Sequence, residues 1–450
     1  MFLVAALCLR PARAAEEITT NNYPNGKPKE TYTVDAEGKK NGVCKEYYED
    51  GTLKLRAGYK AGVLHGDYLS LWPGEKVHVK TSYRNGKLHG SYEELDEKER
   101  PAKHAVYRDG LLHGACREYE DGKLVRDQTW LEGMLLYPKS AAQIETGLAR
   151  IKSAKVEFVG QKPDESVWSG PVKPDPPDPK KPPQPRKPAP PENQDEERIE
   201  AVRTLMAYRF LCDVPYQDIK LDRMYNAHTE AACELLHKIG HLDHTPPNPG
   251  MPEKDYKFAL KGTNSSNLYA GSSSLVGAVH GWMDDSDPSN IDRVGHRRWC
   301  LNPAMQKTGL SAGGGFAAMW SFDSSRKSVP DYEFVCFPPR GLMPNPYFNP
   351  HYAWSVSLNG RKYAAPAKDS VKVAVYPLSG SFVKAKEPLP LNYFNVNKAG
   401  FGVPYCIIFR PNDIKTVPKS RYQVEITGVK KKDGSPAEIK YVVEFTGPRG

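Results

Sequence analysis

The sequence has few of the features that mark nucleic-acid-binding, membrane-spanning or redox proteins. The net charge is +9, but Lys and Arg are spread along the whole chain without a basic block interleaved with aromatics, which argues against nucleic-acid binding. The mean hydropathy is −0.62 and no long apolar run occurs, so we expect no membrane span. The 8 cysteines include no Cys-x-x-Cys pair, which leaves a dithiol redox site or zinc ribbon without support.

Residues 1–14 have the character of a targeting segment. A short apolar core, FLVAALCL, is followed by Ala12 and Ala14 at the small-x-small positions of a cleavage site. We therefore predict a signal peptide and a secreted or extracytoplasmic protein. Export permits disulfides, but the cysteines after the signal are odd in number and widely spaced. Buried free thiols account for them equally well.

The chain repeats itself near its N-terminus. The segments YKAGVLHG, YRNGKLHG and YRDGLLHG begin at Tyr59, Tyr83 and Tyr107, with one constant spacing. Aromatic runs with Gly-containing turns between them predict β-hairpins. A fixed period of hairpins predicts a linear β-array over residues 22–137. The array resembles MORN-type repeats, which implies that it binds a protein partner or acts as a spacer.

Two further boundaries follow from composition. Proline is dense within residues 161–194, which predicts an extended, semi-rigid linker. Residues 341–450 contain short alternating strands separated by turn residues, as expected for an immunoglobulin-like β-sandwich. A chain of 450 residues is long enough for two to four domains.

Residues 195–340 alternate between helical and strand-like patterns. Asp222 can cap a helix that ends at Gly240, and a short helix starts at Ser274. Strand-like runs follow Pro303. Helices that flank a few strands suggest a central α-β-α sandwich. The predicted fold class is therefore a multidomain α+β chain with a β-hairpin array, this sandwich and a C-terminal β-sandwich.

An ordered set of motifs in this region resembles the CAP superfamily of cysteine-rich secretory, antigen 5 and pathogenesis-related proteins. The set comprises His244 before TPP, NLYAG from Asn267, WMDD from Trp282, and GHRRWCLNP from Gly295. Their shared order is more specific than any single motif. Ser266 stands where the family's GENL motif has Glu.

The resemblance implies a surface cleft in which two histidines face each other and can hold a divalent metal such as zinc. Its residues here are His244, His296, Ser266, Asn267, Asp284, Asp285 and Arg297, with His244 and His296 as the metal ligands. The missing Glu weakens this set, and the two histidines can equally be hydrogen-bonded groups that shape the cleft. No catalytic residue is assigned, because Ser266 lacks a Gly-x-Ser-x-Gly context.

Three functions remain open. The favoured hypothesis is a non-enzymatic secreted protein whose cleft binds a cell-surface or small-molecule ligand, such as a lipid, glycan or peptide. The second is a metal-dependent hydrolase, in which the two histidines hold a metal that activates water. The third is a structural surface scaffold.

Overall fold

The computed structural model describes residues 17–170, 194–271 and 274–447. The predicted signal peptide lies outside these residues, as does most of the predicted linker. The chain divides into two compact units, and the boundary falls between Pro138 and Lys139. Within the described residues, no helix has both the length and the apolar character needed to cross a membrane.

The first unit is one antiparallel sheet in which the strands pair in chain order. Its strands are β1 (Glu17–Asn22), β2 (Pro28–Val34), β3 (Lys40–Tyr47), β4 (Leu53–Lys60), β5 (Val63–Trp72), β6 (Lys76–Arg84), β7 (Lys87–Leu95), β8 (Pro101–Arg108), β9 (Leu111–Glu120), β10 (Lys123–Leu131) and β11 (Met134–Leu135). Each strand therefore pairs only with strands that are adjacent to it in the sequence.

Tight turns connect the hairpins of this sheet at the repeated Gly positions. Asn85 and Gly86 have φ of 50° and 79°, and Asp109 and Gly110 have φ of 50° and 87°. Two successive residues with positive φ form the turn that matches the twist of a two-residue hairpin. This requirement explains why Gly recurs at the second turn position.

The repeated histidines connect one repeat to the next. Nδ1 of His65 accepts a hydrogen bond from the backbone N–H of Asn85 at 3.4 Å, and Nδ1 of His89 accepts from Asp109 N–H at 3.3 Å. At the equivalent position in the preceding hairpin, the Asn41 side-chain oxygen accepts from Ala61 N–H at 3.2 Å. These three side chains cap turns.

The second unit contains six α-helices and fourteen strands in the described residues. Their order is α1 (Ala141–Lys152), β12 (Phe158–Val159), α2 (Gln194–Leu211), β13 (Lys220–Asp222), α3 (Arg223–Ile239), α4 (Glu253–Asn264), β14 (Ser266–Ala270), α5 (Leu275–Asp284), α6 (Gly295–Cys300), β15 (Lys307–Thr308), β16 (Leu310–Gly313), β17 (Phe316–Trp320), β18 (Phe334–Phe337), β19 (Gly341–Pro344), β20 (Trp354–Leu358), β21 (Lys372–Leu378), β22 (Leu391–Asn397), β23 (Cys406–Pro411), β24 (Arg421–Lys430) and β25 (Pro436–Thr446).

The predicted helix signals are confirmed at both ends of α3 and at the start of α5. The Asp222 side chain accepts from the backbone N–H of Met224 and Tyr225, and Gly240 ends α3 with φ of 80°. The Ser274 side chain accepts from Gly277 N–H at the start of α5. The Asp222 and Ser274 N-caps satisfy backbone N–H groups that a helix end leaves unpaired.

In the described part of the second unit, one large hydrophobic cluster joins the helices to the C-terminal sheets, in addition to three smaller clusters. Two four-stranded sheets, β18-β20-β23-β22 and β19-β25-β24-β21, meet at the buried Trp354 ring, which contacts Phe409 and Tyr422. The same core continues through Phe337 to Tyr208 on α2. The sequence boundary at 340 and 341 therefore falls inside a packed unit.

The predicted α+β class with a central α-β-α sandwich is wrong. The described residues are mostly β, and only 19% of them are helical. The central strands are two to five residues long and lie in two separate three-stranded sheets, β12-β13-β15 and β14-β17-β16. There is consequently no single central sheet for helices to cover on both faces.

Candidate functional site

The short helix α6 is held in place by two buried arginines. Arg297 donates from Nε to the Met283 carbonyl at 2.7 Å and from Nη1 to the Ala353 carbonyl at 2.7 Å. Arg298 donates from Nε to the Val403 carbonyl at 2.9 Å. Burial lowers the pKa of both guanidinium groups, but their carbonyl partners compensate for the lost hydration. They fix α6 between α5 and the C-terminal sheets.

His296, at the start of α6, pairs with a buried carboxylate. Its Nδ1 lies 2.8 Å from Oδ1 of Asp285, whose side chain is fully buried. The other carboxylate oxygen accepts from Arg297 N–H at 3.3 Å. Because an ionised carboxylate only accepts, Nδ1 carries a proton, and in the neutral form of the ring Nε2 is an acceptor.

His244 has a similar arrangement with a backbone partner. Its Nδ1 lies 2.8 Å from the carbonyl oxygen of Thr263, and the Thr263 hydroxyl donates back to the His244 carbonyl at 2.9 Å. Since a carbonyl only accepts, Nδ1 again carries a proton, and in the neutral form of the ring Nε2 is an acceptor. Both histidines therefore keep Nε2 for another partner.

The two histidines line one cavity of about 270 Å³. Its lining residues are His244, Asn264, Ser266, Asn267, Arg293, Gly295, His296, Trp299, Phe322, Gly400 and Phe401. Ser266, the first residue of β14, is only 3% exposed. Its hydroxyl has no hydrogen-bond partner in the part of the chain that the structure describes.

Aromatic side chains form the apolar part of the cavity. Trp299 on α6 stacks on Phe322 with ring centroids 4.5 Å apart, and Phe322 remains 53% exposed. Phe401 arrives from the loop between β22 and β23, where its ring packs on the Arg298 guanidinium at 4.9 Å. A side chain at Gly295 would lie 3.0 Å from the Phe401 ring, so this approach favours glycine.

The predicted cleft residues fall into two groups. His244, Ser266, Asn267 and His296 line the cavity. Asp285 contacts it only through His296, and Arg297 is buried against carbonyl groups. Oδ2 of Asp284 instead lies 3.5 Å from Nε2 of His351.

Sequence reasoning missed the aromatic and C-terminal lining. Trp299 belongs to the GHR motif, but its type and position fit a core residue equally well. Phe322 and Phe401 belong to no motif in the sequence. Only the structure shows that Phe322 is exposed and that Phe401 packs next to the cavity.

The cavity residues do not fit the proposed zinc site. Catalytic zinc usually takes three protein ligands, whereas His244 and His296 supply two, and Asp285 is already bound to His296. Nowhere in the described residues do three or more His, Cys, Asp or Glu side chains form a group that could hold a metal.

No family model and no curated protein matches the chain. Among solved structures, a cysteine-rich secretory protein from Staphylococcus aureus aligns with 12% identity and a TM-score of 0.21. The alignment covers 65% of this chain and 82% of that chain.

Proposed function

We propose that the cavity between His244, Ser266 and His296 binds a small ligand, and that the protein acts as a binding module rather than an enzyme. The observation that carries this proposal is the buried Ser266 hydroxyl, which lacks a partner among the described residues. Leaving such a group unsatisfied costs about 1–3 kcal/mol. A ligand atom that hydrogen-bonds to it would recover this cost.

The two imidazoles support the same function. Each ring is oriented by a hydrogen bond at Nδ1, so its Nε2 is a fixed acceptor with little freedom to lose on binding. Groups that are oriented before binding reduce the entropic cost of association. The aromatic residues Trp299 and Phe322 add apolar area next to these polar groups, which is the composition typical of small-molecule sites.

In this proposal, the rest of the chain positions the unit that contains the cavity. The motifs around His244 and Gly295 support a distant relation to CAP proteins, and the signal-like residues 1–14 support secretion. The N-terminal repeats, of MORN type by their sequence, would bind a protein partner or hold the second unit at a cell surface. The C-terminal sheets would act in positioning as well, apart from the loop that carries Phe401.

Hydrolysis is the second candidate, and the contact between Asp285 and His296 favours it. A carboxylate that orients a histidine at Nδ1 leaves Nε2 able to take a proton from water. Fluorogenic ester and peptide substrates test this role. Turnover that is lost in Asp285→Asn would support hydrolysis, and its absence from the wild type would leave the binding function.

A fragment screen tests the binding function directly. Saturation-transfer NMR with a library of small neutral and charged fragments would be run on the full chain, on His296→Ala and on Ser266→Val. We expect several fragments to bind the wild type and to lose about tenfold in affinity in each variant. His241→Ala is the matched control, because His241 is exposed and bonds only locally to the Ile239 carbonyl. Fragment binding that is equal in all four proteins would contradict the proposal.

A further inference from the structure

The polar groups of the cavity select for hydrogen-bond donors. In the neutral imidazoles, Nε2 of His244 and Nε2 of His296 are acceptors, because each Nδ1 donates to an oxygen. The Ser266 hydroxyl can donate or accept. A ligand with two or three hydroxyl groups would satisfy all three positions.

The charges in the cavity argue against a strongly charged ligand. No carboxylate is found among the described residues that line it. Arg293 is the cation in that lining, and its guanidinium already donates to the Ser289 carbonyl at 2.7 Å, to Asp292 at 2.9 Å and to the Asn290 side chain at 2.9 Å. These contacts engage three of the five N–H donors and place the Asp292 carboxylate beside the guanidinium, which reduces its attraction for an anion.

The apolar surface and the size of the cavity further restrict the chemical class of the ligand. The half-exposed Phe322 ring, supported by Trp299, offers a flat surface for a ring with C–H groups on one face. The volume of about 270 Å³ lies just under the range of about 300–1,000 Å³ for drug-sized ligands. This space suits one ring better than a long acyl chain.

We propose that the cavity binds a single neutral sugar unit of a glycan. Its hydroxyl groups donate to Nε2 of both histidines and bond to Ser266, while its C–H face packs on Phe322. This inference rests on the proposed binding function and names the ligand class for it.

Glycan-array binding and calorimetry on the full chain test the inference. Neutral mono- and disaccharides would be titrated, with sodium phosphate and sodium acetate as competitors. We expect saturable binding that falls about tenfold in Ser266→Ala and about tenfold in Phe322→Ala. Val417→Ala should bind as the wild type does, because Val417 is 60% exposed and lies outside the lining residues.

Each other outcome is decisive. Failure of all neutral sugars to bind at millimolar concentration would overturn the inference, as would binding that both variants retain. Displacement of the sugar by phosphate or acetate would show an anion site and also overturn it. If fragments bind in a His296-dependent way while sugars do not, the proposed binding function stands and only the sugar class fails. If neither binds, both proposals fail.

Discussion

The N-terminal sheet and the ligand cavity are built in opposite ways. In the sheet, each strand pairs with its sequence neighbour, and the His65 cap reaches a turn only 20 residues away. Next to the cavity, Arg298 donates to a carbonyl 105 residues away. In the cavity itself, Phe401 comes from the loop between β22 and β23, whereas His296 lies on α6. Damage should therefore stay local in the sheet but spread through the unit that contains the cavity.

The largest effect should follow the loss of the Arg297 guanidinium. Arg297→Met leaves the buried carbonyls of Met283, Asp284 and Ala353 without this donor. We expect residues 139–450 to lose on the order of 3–5 kcal/mol in their free energy of unfolding, measured by urea titration with tryptophan fluorescence. Arg361→Met is the control, because Arg361 is exposed. Equal stability of the two variants would show that α6 is not held by Arg297.

A pair of glycines sharpens the comparison between the two regions. Gly402 has φ of 74°, and an added Cβ would lie 2.8 Å from atoms of Asn302 and Trp299. Gly66 has φ of 90° but nothing within 4 Å of such a Cβ. Gly402→Ala should cost about 2–4 kcal/mol from strain and displacement, and Gly66→Ala about 1–2 kcal/mol from backbone strain alone.

The two glycine variants also differ in what they should do to the cavity. Gly402→Ala should weaken fragment binding, because it displaces the loop that carries Phe401, whereas Gly66→Ala should leave binding unchanged. Thermal unfolding and the NMR screen measure both effects. Similar losses of stability and binding in the two variants would remove the distinction between a local and a shared region.

The free energy of unfolding of the second unit should depend on pH. Burial lowers the pKa of His228 from its ordinary value of 6.5 to about 4, because its ring packs against Phe258 and Trp320. The unfolded chain therefore binds a proton first, so stability is complete above about pH 6.5 and falls as the pH drops towards 4. Urea unfolding at several pH values measures this slope. His228→Gln should reduce the slope, and His241→Gln should not.

The sequence predicts features that depend on local contacts better than features that depend on long-range contacts. Asp222, Gly240 and Ser274 were identified correctly because a helix cap depends on a few adjacent residues. The 24-residue spacing of the His–Gly motif likewise reflects contacts between neighbouring hairpins. His244, Ser266 and His296 could be assigned to one site only through a family resemblance.

The errors have a physical cause as well. The central α-β-α sandwich was wrong because a pattern of short strands does not reveal which strands pair, and here they form two small sheets. Phe322 and Phe401 were missed because packing across distant segments brings them to the cavity. Strand pairing and cavity lining both depend on non-local contacts, which periodicity does not encode.

The smallest effect should come from the capping histidines of the array. Asn41 accepts from Ala61 N–H at the position where His65 accepts from Asn85 N–H. His65→Asn should therefore keep the cap, whereas His65→Leu should cost about 0.5–1.5 kcal/mol, the net value of one hydrogen bond. The measurement is hydrogen exchange at the Asn85 amide, which should become faster in His65→Leu alone.

The equivalent residue of the last repeat provides the control within the same sheet. Nδ1 of His113 is buried without a hydrogen-bond partner among the described residues, so His113→Leu removes no cap and relieves an unsatisfied atom. It should leave stability unchanged or raise it slightly. If His65→Leu and His113→Leu behave alike, the repeated histidine acts through packing rather than through its turn contact. Local damage at His65 with no change in fragment binding would complete the contrast with Arg297.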